Sequence, residues 1–305
     1  MKSLKKGILI IIFLLCIAGS GVARFRATAG VAEIVDDMGV AVSFEKPVIR
    51  VISLYAGHTE NLIAIGARDR LVAVSNGDDP EITGSLPRLG VKPGVEQIAA
   101  LRPDVVLTRP MHVRAQAALY ERLQTLGVKV LAIDPPVWEE FPAYIELLSR
   151  MVGAEKPELI AEETRHLLDA SRRVGKNAGA ILITNGRNMA TCTANSWAAH
   201  IMERAGLSNA APDAAPITSN SVIADFGTER LLASDKHIEV VLLQQGAMNT
   251  VSATEFMSDP RFSGMRAVRE GNVFDISEAD ISRPSLLRLR RGVIEDLGKI
   301  AVVGR

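Results

Sequence analysis

Cysteine is nearly absent from this 305-residue chain: two are present, Cys16 and Cys192. That is too few for a disulfide framework or a zinc ribbon. Aromatic residues make up 4%, which leaves little material for an extended stacking platform for bases or sugars. There is no excess charge of either sign, with 35 Lys plus Arg against 35 Asp plus Glu, so the basic surplus that accompanies nucleic-acid binding is missing. The five histidines (His58, His112, His166, His200 and His237) are dispersed. No GxxxxGK[ST] loop, GxSxG elbow, HExxH pair or GxGxxG turn after a strand occurs, which removes the usual signatures of phosphate, nucleophilic, zinc and dinucleotide chemistry. The residues give no reason to expect an enzyme or a bound cofactor.

What is present begins with a leader. Lys2, Lys5 and Lys6 precede the apolar run GILIIIFLLCIAG, and SGVA follows with Gly21 and Ala23 spaced as at a cleavage site. This is the layout of a secretory signal peptide over residues 1–23. The run is shorter than the roughly 20 residues that a membrane span needs. A lipoprotein reading would use Cys16, but Leu15 stands where a small residue is wanted. Losing three lysines takes 35 bases to 32 against 35 acids, a net charge of −3. Cys192 is then alone and is expected to be buried.

Beyond the leader, residues 24–47 read as an extended lead-in with a turn at DDMG. Short apolar runs then alternate with helical patterns. Strands are expected near 48–54, 71–75, 104–108 and 128–133, and again near 179–185, 238–243 and 272–277. Helices are expected between them, the first capped by Thr59 and ended by Gly66. Uniformly apolar strands alternating with helices imply parallel sheets covered on both faces. One segment differs. From Glu155 to Val174, Leu159, Ile160, Leu167, Leu168 and Val174 follow helical spacing, and Pro157 suits a first turn. A continuous helix there would reach roughly 27–30 Å and could run across the back of two lobes. The last helix is expected over 284–302. An internal repeat supports duplication: GVEQIAALRPDVVL from Gly94 and GTERLLASDKHIEVVLL from Gly227 share a glycine, a glutamate two residues later, a short apolar helix, an acid and a Val-Val-Leu strand.

Four stretches together resemble the class III periplasmic binding proteins, the family of ferric siderophore, haem and cobalamin receptors. They are RVISL with TENLIAIGARDRLVAVS, LPRLGVKPGVEQIAALRPDVVL, the long helix near 155–174, and RFSGMRAVREGNVFDIS with the final helix. In order, they cover roughly residues 48–302. The resemblance implies an α/β fold of two lobes with parallel-rich sheets joined by one long rigid helix. Its parts would be an N-terminal lobe (24–153), an interlobe helix (154–176) and a C-terminal lobe with a closing helix (177–305). It further implies a monomeric, periplasmic, substrate-binding component of an ABC importer, partnered by an ABC permease and its ATPase subunits.

Glu96 and Glu229 match the family's two docking glutamates, which would meet arginines on the permease. An acid in a first helical turn equally complements the helix dipole. The ligand crevice should be lined by loops at the carboxyl ends of the strands: 55–59, 76–79, 92–93 and 109–112 in one lobe, and 185–188, 244–249 and 280–283 in the other. Arg109, Arg187 and Arg283 are candidates to hold an anionic chelate, because a guanidinium fork matches carboxylate and phosphate oxygens. Lys92 lies beside them in this scheme. Tyr55 and His58 could touch a metal centre, and His58 could equally cap its helix. Haem receptors of the family often place a tyrosine after the LPRLG segment, where this chain has Val91. Trp138 and Trp197 read as helix residues, which weakens cobalamin without removing it. A ferric siderophore is thus the first expectation and a cobalamin or other corrinoid the second. A zinc or manganese enzyme or metal-ion receptor, with His58, His112, His200 and Asp78 converging, is the reading from another class.

Overall fold

The computed structural model describes residues 25–28, 31–90, 92–170, 178–219 and 221–303. The leader, Val91 and the part of the expected long helix beyond 170 lie outside the described residues. The lead-in forms a three-stranded antiparallel sheet, β1 (Phe25–Thr28), β2 (Val31–Val35) and β3 (Ala41–Phe44). The expected turn is held by Asp36, whose Oδ1 accepts from the backbone N–H groups of Met38 and Val40, both at 2.9 Å.

Two parallel sheets follow. The first contains β4 (Val51–Ser53), β5 (Leu71–Ser75), β6 (Arg88–Leu89), β7 (Val105–Thr108) and β8 (Lys129–Ala132) in the order β6-β5-β4-β7-β8. After β9 (Ala178–Ile183), a short antiparallel pair is made by β10 (Thr191–Cys192) and β12 (Ile223–Ala224). The second sheet adds β11 (Leu207–Asn209), β13 (Val240–Gln245) and β14 (Val273–Ser277) in the order β11-β9-β13-β14, again all parallel. Numbered along the chain, the first sheet therefore runs 3-2-1-4-5 and the second 2-1-3-4: each goes from its second strand to its first and then to its two last strands. The repeated sequence units end in β7 and β13, which hold the same place in the two sheets. Apolar runs such as Val105–Thr108 are buried along their whole length, as strands covered on both faces must be.

The expected interlobe helix is present over its described part. The helix Pro157–Ala170 packs along the helix Phe141–Met151. Over its described 14 residues it spans about 21 Å. Ala161, Thr164 and Leu168 are buried, whereas Leu159, read as part of the apolar stripe, is exposed. The lobes also share one continuous apolar core that includes Leu62, Phe141 and Tyr144 from the first and Trp197, Met202 and Leu242 from the second. Trp138 and Trp197 meet with ring centroids 4.7 Å apart. Trp138 lies in the turn before its helix, not inside it.

The expected closing helix is two helices, Leu286–Arg290 and Val293–Val303, because Gly292 takes φ 85° between them, a left-handed conformation that ends a helix. The first of these packs on the helix Ala56–Ala64 of the first lobe, and the second on the helix Trp197–Arg204 of the second lobe.

Candidate functional site

In each sheet the chain moves outward from its first strand and then crosses to the other side. The strand order reverses between β4 and β7, and again between β9 and β13. At such a switch point the loops diverge and leave a crevice at the carboxyl ends of the strands. Tyr55 follows β4, Arg109 follows β7, residues 184–187 follow β9 and residues 246–249 follow β13.

Tyr55 is the residue before the helix Ala56–Ala64, with extended backbone and no side-chain cap bond. The guanidinium carbon of Arg109 lies 5.2 Å from the Tyr55 ring centroid, a cation–π contact. Arg109 Nε also faces Asp134 Oδ1 at 3.4 Å. Burial pushes the Tyr55 hydroxyl up to about 12, against the pull of Arg283 and Arg109. The phenol is therefore neutral at physiological pH and offers a hydrogen-bond donor. Glu278, just after β14, also acts on Tyr55, so charge from the second lobe reaches this ring. His112 is held near Thr108 Oγ1 at 3.2 Å, and burial followed by the Arg109 charge lowers its pKa.

Three expectations change here. His58 neither caps the helix nor offers a nitrogen to a metal. It is 1% exposed, with Nε2 3.0 Å from the Ile133 carbonyl and Nδ1 2.6 Å from the Tyr144 hydroxyl. A carbonyl only accepts, so Nε2 carries the proton and Nδ1 accepts from Tyr144. Thr59 does not cap either, because the helix starts at Ala56; it is buried, and its hydroxyl donates to Ser53 Oγ at 2.8 Å. Arg283 is not a free cation of the crevice. It is buried between Glu60 Oε1 at 2.7 Å and Glu278 Oε2 at 2.9 Å. Sequence could not anticipate that pairing, since Glu60 lies 223 residues away.

Lys92 and Arg187 are exposed on their loops. The Arg187 loop is pinned by a residue missed from sequence: Asn249 Oδ1 accepts from Gly186 N–H at 2.9 Å while its Nδ2 donates to the Gln244 and Val251 carbonyls at 2.9 and 3.1 Å. An Asn in the loop just after a strand was the available signal. Met111 and Met248, each 53% exposed, stand just beyond the equivalent strands β7 and β13. Among the described residues, no three His, Cys, Asp or Glu side chains come together as metal ligands. His200 stacks instead on Trp138, with centroids 5.1 Å apart.

Glu96 and Glu229 hold equivalent positions. Each is the second residue of a six-residue helix, Val95–Ala100 or Thr228–Ala233, preceded by a glycine. Both are exposed. Gly227 enters its helix at φ 83°, a conformation that a residue with a Cβ rarely adopts. Beside Glu229, Arg230 pairs with Asp213 at 2.6 Å and lies over the Phe226 ring at 4.7 Å. Cys192 is buried, as expected, and burial raises its pKa.

Comparison with known proteins agrees with this geometry. Residues 51–279 match the family model described as periplasmic binding protein. An uncharacterized ABC transporter substrate-binding lipoprotein, YvrC of Bacillus subtilis, is 30% identical over 118 residues, 38% of each chain. A vitamin B12-binding protein of Vibrio parahaemolyticus is 36% identical over 108 residues, which is 34% of this chain and 38% of that one. The matched stretch thus spans about two fifths of the length of these curated relatives. The crystal structure of the periplasmic vitamin B12 binding protein BtuF of Vibrio cholerae superposes with a TM-score of 0.64 at 22% identity, covering 85% of this chain and 98% of that one. With two parallel sheets, paired switch points and a family match across three quarters of its length, the chain belongs to the periplasmic binding protein family, whose members bind ligands and are not enzymes.

Proposed function

We propose that this chain is the substrate-binding component of an ABC importer. It takes a metal chelate into the crevice between its two lobes and presents it to a permease driven by ATPase subunits. The observation that carries this reading is the duplicated unit: a glycine, an exposed glutamate at the second helical position, and a strand at the switch point, once in each lobe. Glu96 and Glu229, one on each lobe, would then meet the permease, and the crevice between the lobes would hold the ligand. Exposed ion pairs of this kind contribute about 0–1 kcal/mol each, which suits a carrier that must release its partner. The basic and apolar segment over residues 1–23 supports export to the periplasm. Among the described residues no helix is long and apolar enough to cross a membrane.

The arginines of the crevice come with their own counter-charges. The charge of Arg283 is offset by Glu60 and Glu278, which take its two Nη groups, and Arg109 faces Asp134. Only Arg187 and Lys92 remain as exposed cations on the proposed lining loops. A chelate of low net charge fits this balance better than a polyanionic one, and the thioethers of Met111 and Met248 add apolar contact. This favours a corrinoid over the ferric siderophore that the sequence alone put first. The vitamin B12-binding relatives are consistent with that order. The ferric siderophore remains as the second reading, supported by structural likeness to a Fe3+-hydroxamate transport protein of Saccharomonospora viridis. Calorimetric titration with cyanocobalamin, a neutral ferric hydroxamate and an anionic ferric catecholate tests this. Tight binding of the catecholate alone would refute the low-charge reading, and binding of none would count against a chelate.

A further inference from the structure

The segment that follows β14 leaves its own lobe. Glu278 begins the helix Glu278–Ile281 in the second lobe, yet Arg283, Pro284, Leu286, Arg288 and Arg290 all bond to the first. Glu60, 2% exposed, accepts from Arg283 Nη1 at 2.7 Å and from Arg288 Nε and Nη2 at 3.0 Å each. Asn61 bonds in both directions: its Nδ2 donates to the Pro284 carbonyl at 2.9 Å, and its Oδ1 accepts from Leu286 N–H at 2.7 Å. Arg290 donates to the Ala64 carbonyl at 2.6 Å and pairs with Glu163 of the helix Pro157–Ala170 at 3.2 Å. Toward the second lobe, Arg283 holds Glu278, and Arg288 holds Asp280 at 2.5 Å.

We propose that residues 278–290 form an interlobe latch, closed by Glu60 and Asn61, that sets the separation of the two lobes and hence the width of the crevice. Three features make it a latch rather than ordinary packing. The ion pairs to Glu60 are buried, so water cannot replace that partner: removing Glu60 leaves two guanidinium groups, 10% and 12% exposed, each with its carboxylate of the second lobe but without the buried one. The Asn61 side chain pairs with main-chain groups on both sides of Ser285, as a strand neighbour would, and so fixes register as well as contact. Glu60 and Asn61 sit in the second turn of the helix that starts beside Tyr55, so lobe separation and the position of that ring are set through the same helix. The strap thus adds a polar, register-fixing link to the helix Pro157–Ala170 and the shared apolar core that already join the lobes. A crevice of set width demands little reorganisation on binding.

The latch is independent of which ligand binds, and hydrogen–deuterium exchange of the ligand-free full chain tests it. In Glu60→Gln and in Asn61→Ala, amides of 56–64 and 283–290 should exchange about 100-fold faster than in wild type, while β7 and β13 keep wild-type rates. Arg283→Lys keeps a cation opposite Glu60 and should show less than about tenfold acceleration at the same amides. An acceleration spread evenly over both sheets in Asn61→Ala, or no acceleration at 283–290, would overturn the proposal. Should Glu60→Gln fail to fold, Asn61→Ala and Arg283→Lys decide it alone.

Discussion

Replacing His58 with glutamine separates two roles that a histidine beside a crevice could have. The folded chain holds His58 as a neutral ring between Ile133 and Tyr144, and burial lowers its pKa from 6.5 to about 3. In the unfolded chain the same ring takes a proton near 6.5. The unfolded state thus binds more protons between pH 6.5 and about 3, and linkage then makes stability fall as pH falls through that window. One pKa unit corresponds to about 1.4 kcal/mol. This group alone should therefore remove about 1.4 kcal/mol by pH 5.5 and about 2 kcal/mol by pH 5.0, relative to pH 7.5. Urea unfolding at these three values, on wild type and His58→Gln, is the assay. His112 and His200 are also lowered by burial, and the carboxylates titrate as well, but these contributions are common to both proteins. The difference between the two pH slopes isolates His58. Wild type should lose about 2 kcal/mol more than the variant between pH 7.5 and 5.0. Equal slopes would refute the buried neutral ring, and with it the claim that His58 is structural.

Glu96→Ala with Glu229→Ala should abolish uptake in cells while calorimetric ligand affinity stays within about twofold; a loss of affinity would place these residues in the crevice or the fold. Arg109→Ala should weaken ligand binding by about 1 kcal/mol with little change in stability, because it is partly exposed and its pair with Asp134 is long. Arg283→Ala should instead lower unfolding free energy by about 3–5 kcal/mol by leaving Glu60 and Glu278 short of a partner; an unchanged urea midpoint would contradict that. Phe141→Ala removes a fully buried ring from the core shared by both lobes and should cost about 3–5 kcal/mol in the same measurement.

The alternation of strands and helices was legible because the covered part of a strand buried on both faces must be apolar, as Val105–Leu107 and Val240–Leu243 are. The duplicated unit was legible for the same reason, and its two glutamates could be placed on their helices because a glycine and a short apolar period mark a helix start. Short pairings were not legible. β6, β11 and the β10–β12 pair are two or three residues long, too brief for a period to show. The break at Gly292 was missed because an isolated glycine inside an apolar helical pattern is equally compatible with continuation.

Local pattern by itself determined the class of fold, the order of its elements and the places of the paired acids, since each depends on residues a few positions apart. Which arginines are free was decided only by tertiary structure. Arg283 and Arg109 look alike in sequence, but one is neutralised by a carboxylate 223 residues away and the other stands over a tyrosine at the crevice. A charge in a low-dielectric setting is governed by its nearest partner in space, and chain order does not encode that distance. For the same reason His58 turned from a candidate ligand into a buried brace: the carbonyl and hydroxyl that occupy its nitrogens come from residues 75 and 86 positions along the chain.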